Sequence, residues 1–324
     1  MTVGSLSHVI LFAITAGVIA LGCVAIRRLP RVWQTVMIVA TVLICCGAIF
    51  YRYAMNLSWD GGIDLKPLLL QQLQVCNFNF TLLLLALIPG LWLPRQYAFF
   101  FSMFAASTTL FALNSAWGGQ PWYAPVVFNS WLYHSCAVAA PLFMWSAGWI
   151  KPRRRYILPV SGCVVGYFTL VYAISEILKG AGIMSPEQSF SYIYKTDGIP
   201  ILDSFHRWLP VPYWHLYLSL PIIVGFFFLL AAIFNRRITF DPGDGIGRAR
   251  RVWGVKGDEV TLPDGCGMLK VGHRLSGWRL RDGGGTEERV YAPGEVVVIG
   301  KRSVTYCAVW TPCEAPRAKD EKDD

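Results

Sequence analysis

Apolar blocks alternate with short polar connections along most of this chain. A helix needs roughly 20 predominantly apolar residues to cross a hydrocarbon core. Seven stretches reach that length, at residues 7–26, 33–54, 68–93, 97–117, 130–150, 157–178 and 213–235. Most of the connections between them are too short to hold a domain, and the outer loop 179–212 is the longest. After residue 240 the period changes. Asp241-Pro242-Gly243-Asp244-Gly245-Ile246-Gly247 reads as a connector. Short β-branched and aromatic runs follow, at Glu295–Ile299 and Val304–Trp310, with Gly-rich turns at 264–267 and 282–285. The pattern predicts an all-α polytopic membrane domain of seven transmembrane helices over residues 1–237 and a basic Gly-rich linker over 238–251. A small β-rich domain then occupies 252–311, and a charged tail over 312–324 is expected to be disordered.

Composition agrees with that division. A mean hydropathy of +0.44, with 54% hydrophobic and 15% charged residues, lies outside the range of a soluble globular domain. The net charge of +9 needs no nucleic acid to explain it, because the basic residues follow the membrane. One set of connections carries Arg27, Arg28, Arg31, Arg95, Lys151, Arg153, Arg154, Arg155, Arg236 and Arg237. The opposite set carries Arg52, Lys66, Lys179, Lys195 and Arg207 over much more sequence. The positive-inside rule places the first set in the cytoplasm, the N-terminus outside and the C-terminal domain inside.

Nine cysteines form no Cys-x-x-Cys pair, and six of them (Cys23, Cys45, Cys46, Cys76, Cys136 and Cys163) fall within the expected spans. His273 with Cys266, Cys307 and Cys313 has the ligand types for zinc but not the spacing, so no metal and no cofactor are expected. Cys76 differs from the others in context. It lies in the polar run Gln71-Gln72-Leu73-Gln74-Val75-Cys76-Asn77, and the threading delivers His134 to the same outer side. A histidine beside a buried thiol makes a Cys–His couple suited to acyl transfer, and the ester bonds of phospholipids lie near that depth. Gln72, Gln74, Asn77 and Tyr133 are candidate oxyanion or polar support. Asn114, Asp203, His206 and His215 gather on the same side as candidate supporting groups. For His206 and His215 an ordinary interfacial role weighs more, and for Cys76 taken alone, so does packing.

Two resemblances bear on these residues. Gln72-Leu73-Gln74-Val75-Cys76-Asn77, then Trp131-Leu132-Tyr133-His134, Ser191-Tyr192-Ile193-Tyr194 and Val211-Pro212-Tyr213-Trp214-His215-Leu216-Tyr217 run in an order that resembles the YwaF family. The eukaryotic relative of that family is the transmembrane protein 164 acyltransferase. The resemblance covers roughly residues 5–237. It departs at Gln72, where the family has proline, and at Ser191, where asparagine is usual. It implies a cysteine nucleophile at Cys76 with His134 as its base, membrane phospholipids as substrates and a bacterial plasma membrane as location. The segments Gly272–Trp278, Tyr291–Gly294 and Val304–Trp310 resemble the Listeria–Bacteroides repeat, the β-grasp-like B repeat of internalin-type proteins. That module is a structural or binding unit, which implies a protein partner. It usually lies outside the cell, against the cytoplasmic placement from the basic residues.

Two function classes follow. The first is a lipid acyltransferase or acyl hydrolase using Cys76 and His134 at the outer leaflet. The second is a non-catalytic membrane scaffold or receptor presenting its β module to a partner. A transporter is disfavoured, since no repeat is visible and charged residues are nearly absent from the span centres. The loop 179–212, with Tyr192, Tyr194, Phe205 and Trp208, suits a lid over an outer-leaflet site or a simple interfacial loop.

Overall fold

The computed structural model describes residues 4–56, 69–112, 120–196, 199–281 and 289–313. The chain divides into two compact units, Met1–Leu230 and Ala231–Asp324. Asn114 and the turn at 282–285 lie outside the described residues, as does nearly all of the charged tail.

The first unit is helical. Its elements are α1 (Leu6–Arg28), α2 (Arg31–Asn56), α3 (Val75–Leu87), α4 (Trp92–Tyr97), α5 (Met103–Ala112), α6 (Pro125–Ser146), α7 (Ile157–Gly180), α8 (Pro200–Trp208) and α9 (Leu220–Phe234), the last crossing into the second unit. Among the described residues five helical stretches are long and apolar enough to cross a membrane: Leu6–Arg28, Arg31–Tyr51, Pro125–Ser146, Arg154–Gly180 and Trp214–Phe234. Their outward faces carry large apolar side chains, with Leu21 71%, Leu158 77% and Ile177 69% exposed. Apolar surface on that scale belongs against lipid rather than water.

The other two expected spans take different forms. In place of a continuous helix over 68–93, α3 has 13 residues, about 20 Å at 1.5 Å per residue against a core of about 30 Å. The polar run before it makes turns instead, with Gln72 N, Leu73 N and Gln74 N each bonded three residues back. In the fourth, α4 and α5 are joined through a buried π turn, Ala98–Ser102. The seventh begins as the 3-10 helix Trp214–Ser219 before α9.

α6 is the central helix: 67% of its apolar window is buried, against 6% for α1. Ala137, Ala139 and Ala140 give it a narrow surface on which neighbours approach closely. Pro125 opens it at the first position, where the missing N–H costs nothing. Gly148, at φ 80°, closes it. It packs against α1, α2, α3 and α5. Gln34 Nε2 donates to Ile26 O and Leu29 O (2.9 and 3.0 Å) and fixes the α1–α2 turn. The Arg95 guanidinium donates to Ala86 O, Ile88 O and Trp149 O, tying two connections together.

Among its described residues the second unit contains the last turn of α9 and seven strands: β1 (Asn235–Asp241), β2 (Arg250–Val255), β3 (Glu259–Thr261), β4 (His273–Leu280), β5 (Val290–Tyr291), β6 (Val296–Val298) and β7 (Val304–Pro312). The chain leaves the helix and enters the sheet with no residue between. Asn235 Nδ2 donates to Ala231 O (2.7 Å) and Arg236 donates to Ile233 O (2.8 Å), occupying carbonyls at the helix end. The β domain therefore starts at Asn235, before the linker expected at 238–251, and the connector shrinks to residues 242–249. The five-stranded sheet runs β2-β1-β7-β4-β5, with the first and last strands of the unit parallel and side by side. β3 and β6 pair separately, and Leu262, Val297 and Ile299 join Ile238, Phe240, Met268, Trp278 and Tyr306 in one core.

A β-bulge at Leu275/Gly277 brings Gly277 against the neighbouring strand. A Cβ there would meet Val290 Cγ1 at 2.5 Å and the Tyr291 carbonyl oxygen at 2.6 Å. Gly277→Ala is expected to displace β5 and destabilise the unit by about 1–3 kcal/mol, read as faster amide exchange across β4 and β5.

Candidate functional site

The polar run before α3 is the centre of a hydrogen-bonded hub. Leu73 O accepts from Ser191 Oγ (2.6 Å) and from Tyr167 OH (2.8 Å). Those two hydroxyls are 3.0 Å apart, so two protons serve three contacts. Gln74 Oε1 accepts from Ser191 N (2.8 Å), and Asn77 Nδ2 donates to Gln71 O (2.8 Å). Gln72, half-buried, lies in the turn itself. Phe78 stacks on the Tyr167 ring at 4.6 Å. Two helices, α3 and α7, and the loop at Ser191 are thus held around one turn.

The loop is held in a conformation that only such contacts maintain. Ser191 and Tyr192 have φ of 53° and 64°, and Tyr213 has 71°. Left-handed backbone at a residue with a Cβ costs about 1–3 kcal/mol. The hub offsets that cost at Ser191. His215 Nε2 faces Tyr192 O at 2.9 Å and His215 Nδ1 faces Val211 O at 3.2 Å. Tyr213 N donates to Ile193 O (2.8 Å). Residues 191–193 are thus tied to residues 211–215 and, through Ser191, to the turn before α3 and to α7.

Cys76 is the second residue of α3, one position into the helix rather than about eight residues into a span. It is half-buried, and it lies close enough to Tyr167 for the two to interact electrostatically. His134 is nine residues into α6 and buried. α3 and α6 pack against each other. His134 Nδ1 lies 2.8 Å from Ser130 O. A carbonyl only accepts, so Nδ1 carries the proton and Nε2 carries the lone pair of the neutral ring. The Tyr133 ring lies against the imidazole at 4.0 Å, and the Tyr133 carbonyl accepts from Cys45 Sγ.

Two buried polar atoms flank these residues without a hydrogen-bond partner among the described residues, Asn79 Oδ1 and Ser130 Oγ. Asn79 is three residues after Cys76 and Ser130 four before His134, each on the same helix face as its neighbour. Native interiors rarely leave such groups unsatisfied.

The remaining candidates sit elsewhere. His206 packs edge-on to His215 at 4.8 Å, and Asp203 accepts from Thr196 Oγ1 in the α8 region. His8 is committed to structure: Nε2 donates to Leu110 O (2.9 Å) and Nδ1 accepts from Gly4 N (3.2 Å). In the loop after α7, Lys195 at 2.8 Å holds the Glu187 carboxyl below the usual range. Burial, and then the Glu176 carboxylate that accepts its proton, raise the Tyr194 phenol. Tyr167 escaped sequence reasoning, although a tyrosine inside an apolar span is a signal in itself.

Tyr167→Phe keeps the ring stack and removes the hydroxyl. It is expected to cost about 1–3 kcal/mol, with the loop around Ser191 becoming accessible to protease while the spans stay intact. A variant whose loop resists protease as well as wild type would show that Ser191 and Gln74 suffice.

No family model, curated protein or solved structure matches this chain.

Proposed function

We propose that this membrane protein transfers fatty acyl groups from phospholipids through a thioester on Cys76, with His134 as base. The observation that carries the reading is the 2.8 Å contact of His134 Nδ1 with Ser130 O, on a helix packed against the one that bears Cys76. A carbonyl takes a proton donor there, so the neutral ring presents its lone pair at Nε2. The location of Cys76 in the first turn of α3 adds to it, since the positive end of a helix favours an anionic sulfur and a developing oxyanion. Gln72, Gln74, Asn77 and Asn79 are the nearest side-chain candidates for that oxyanion in sequence. The resemblance to the YwaF family is a further support, because the Gln74 and Ser191 segments it singles out are bonded to each other, as are the Tyr192 and His215 segments.

The chemistry balances within the pair. His134 Nε2 takes the Cys76 proton and the sulfur attacks the ester carbonyl. The tetrahedral oxyanion collapses, and the lysophospholipid alkoxide leaves with the proton from His134. A thioester remains. A lysophospholipid hydroxyl or water then gives its proton to Nε2 and attacks the thioester, and Cys76 leaves and is reprotonated. In the proposed orientation the N-terminus and the site face outward and the C-terminal unit faces the cytoplasm.

The test is phospholipid turnover by purified protein in nanodiscs, followed by mass spectrometry. Acyl-exchanged phospholipid or lysophospholipid should accumulate with wild type and not with Cys76→Ala. Equal lipid profiles for both proteins would refute the reading and leave a scaffold carrying a binding module.

A further inference from the structure

We propose that the open face of the five-stranded sheet docks on an anionic phospholipid surface. β3 and β6 cover one face of that sheet, where Ile238, Phe240, Trp278 and Tyr306 are buried. Alternation along each strand sends the intervening residues to the other face. The register places Arg237 opposite Trp253, Thr239 opposite Arg251 and Thr305, and Asp241 opposite Cys307, which itself pairs Arg279. Arg281 continues the β4 row, donating to Asp241 at 2.8 Å and to Cys307 Sγ at 3.2 Å.

Among the described strand residues, Arg237, Arg251, Arg274, Arg279, Arg281 and Trp253 therefore share a face with one carboxylate, Asp241, which already has a cation. Arg251, Arg279 and Arg281 are exposed, and Trp253 is 42% exposed. Arginine with tryptophan on one surface is the composition of a membrane interface. The same compact unit includes the last turn of α9, and Arg237 lies three residues beyond Phe234. At about 3.3 Å per residue, the strand holds Arg237 within roughly 10 Å of the end of an apolar helix. That distance is comparable to the Debye length of about 8 Å at physiological salt, over which anionic lipids attract cations. An anionic headgroup layer is the complementary surface the covalent structure supplies at that distance.

The experiment is amide exchange on the full chain in nanodiscs of phosphatidylcholine, with and without phosphatidylglycerol. Exchange in edge strand β2 should slow about tenfold or more in the anionic discs, each arginine contributing severalfold, and the effect should vanish in high salt. The triple variant Arg237→Gln/Arg251→Gln/Arg279→Gln should lose the slowing while β7 stays protected. If that variant loosens the sheet, Arg251→Glu on the exposed edge strand carries the test by itself. Equal β2 exchange in both discs would overturn the proposal. So would slowing that survives the substitutions, which would mean that something other than headgroup charge covers this face. The outcome does not depend on acyl transfer.

Discussion

Alanine at Cys76 is expected to reduce acyl transfer by at least about 10³-fold, the scale on which removing a covalent nucleophile acts. The fold should be nearly untouched. Cys76 is half-buried in the first turn of α3, and alanine is the best helix former, so the change in stability should stay below about 1 kcal/mol. Loss of turnover with an unchanged exchange profile would then be chemical rather than structural. His134→Asn sharpens the comparison. Its side-chain amide can still donate to Ser130 O, as Nδ1 does at 2.8 Å, but it offers no basic nitrogen. That variant should fall nearly as far as Cys76→Ala, and the double variant no further than either, because the two residues act as one unit. Additive losses would mean that His134 contributes to packing and not to proton transfer.

The largest effect on stability is expected in the second unit. Trp278 is fully buried, its ring lies 5.1 Å from Phe240, and its Nε1 donates to Pro263 O at 2.7 Å. Trp278→Ala removes the largest side chain of that core, at about 3–5 kcal/mol for the cavity. It also removes the donor to the carbonyl of half-buried Pro263. A domain of this size has only about 5–15 kcal/mol in reserve at most. Strands β1, β4 and β7 should lose amide protection together, while α6 keeps its own, because the two units are separately compact. Protection retained throughout β4 and β7 would show that the core tolerates the cavity.

The membrane character was legible because apolar length is a local property: α1, α2, α6 and α7 start and stop within a few residues of their expected bounds. β6 and β7 were legible for the same reason, as short runs of valine and aromatic residues. β1 was not. Asn235–Asp241 follows an apolar helix directly and carries two arginines, and it becomes a central strand only through its parallel pairing with β7. The third stretch differs because its composition is apolar from 82 onward, while the glutamines before it satisfy their backbone in turns. The polar run Gln71–Asn77 stood out in the sequence, and the partners that hold it did not. Tyr167 reaches Leu73 across 94 residues, and Ser191 reaches Gln74 across 117, contacts that no periodicity encodes.

The most direct measurement is to trap the acyl-enzyme. Purified protein in nanodiscs of acyl-labelled phospholipid would be quenched in acid and its peptides read by mass spectrometry. The expected result is an acyl group on Cys76 as a hydroxylamine-labile thioester, absent from Cys76→Ser under the same treatment and strongly reduced in His134→Asn. An unmodified Cys76 in folded wild-type protein that nonetheless turns phospholipid over, or label distributed equally among Cys23, Cys76 and Cys163, would contradict a nucleophile at this position.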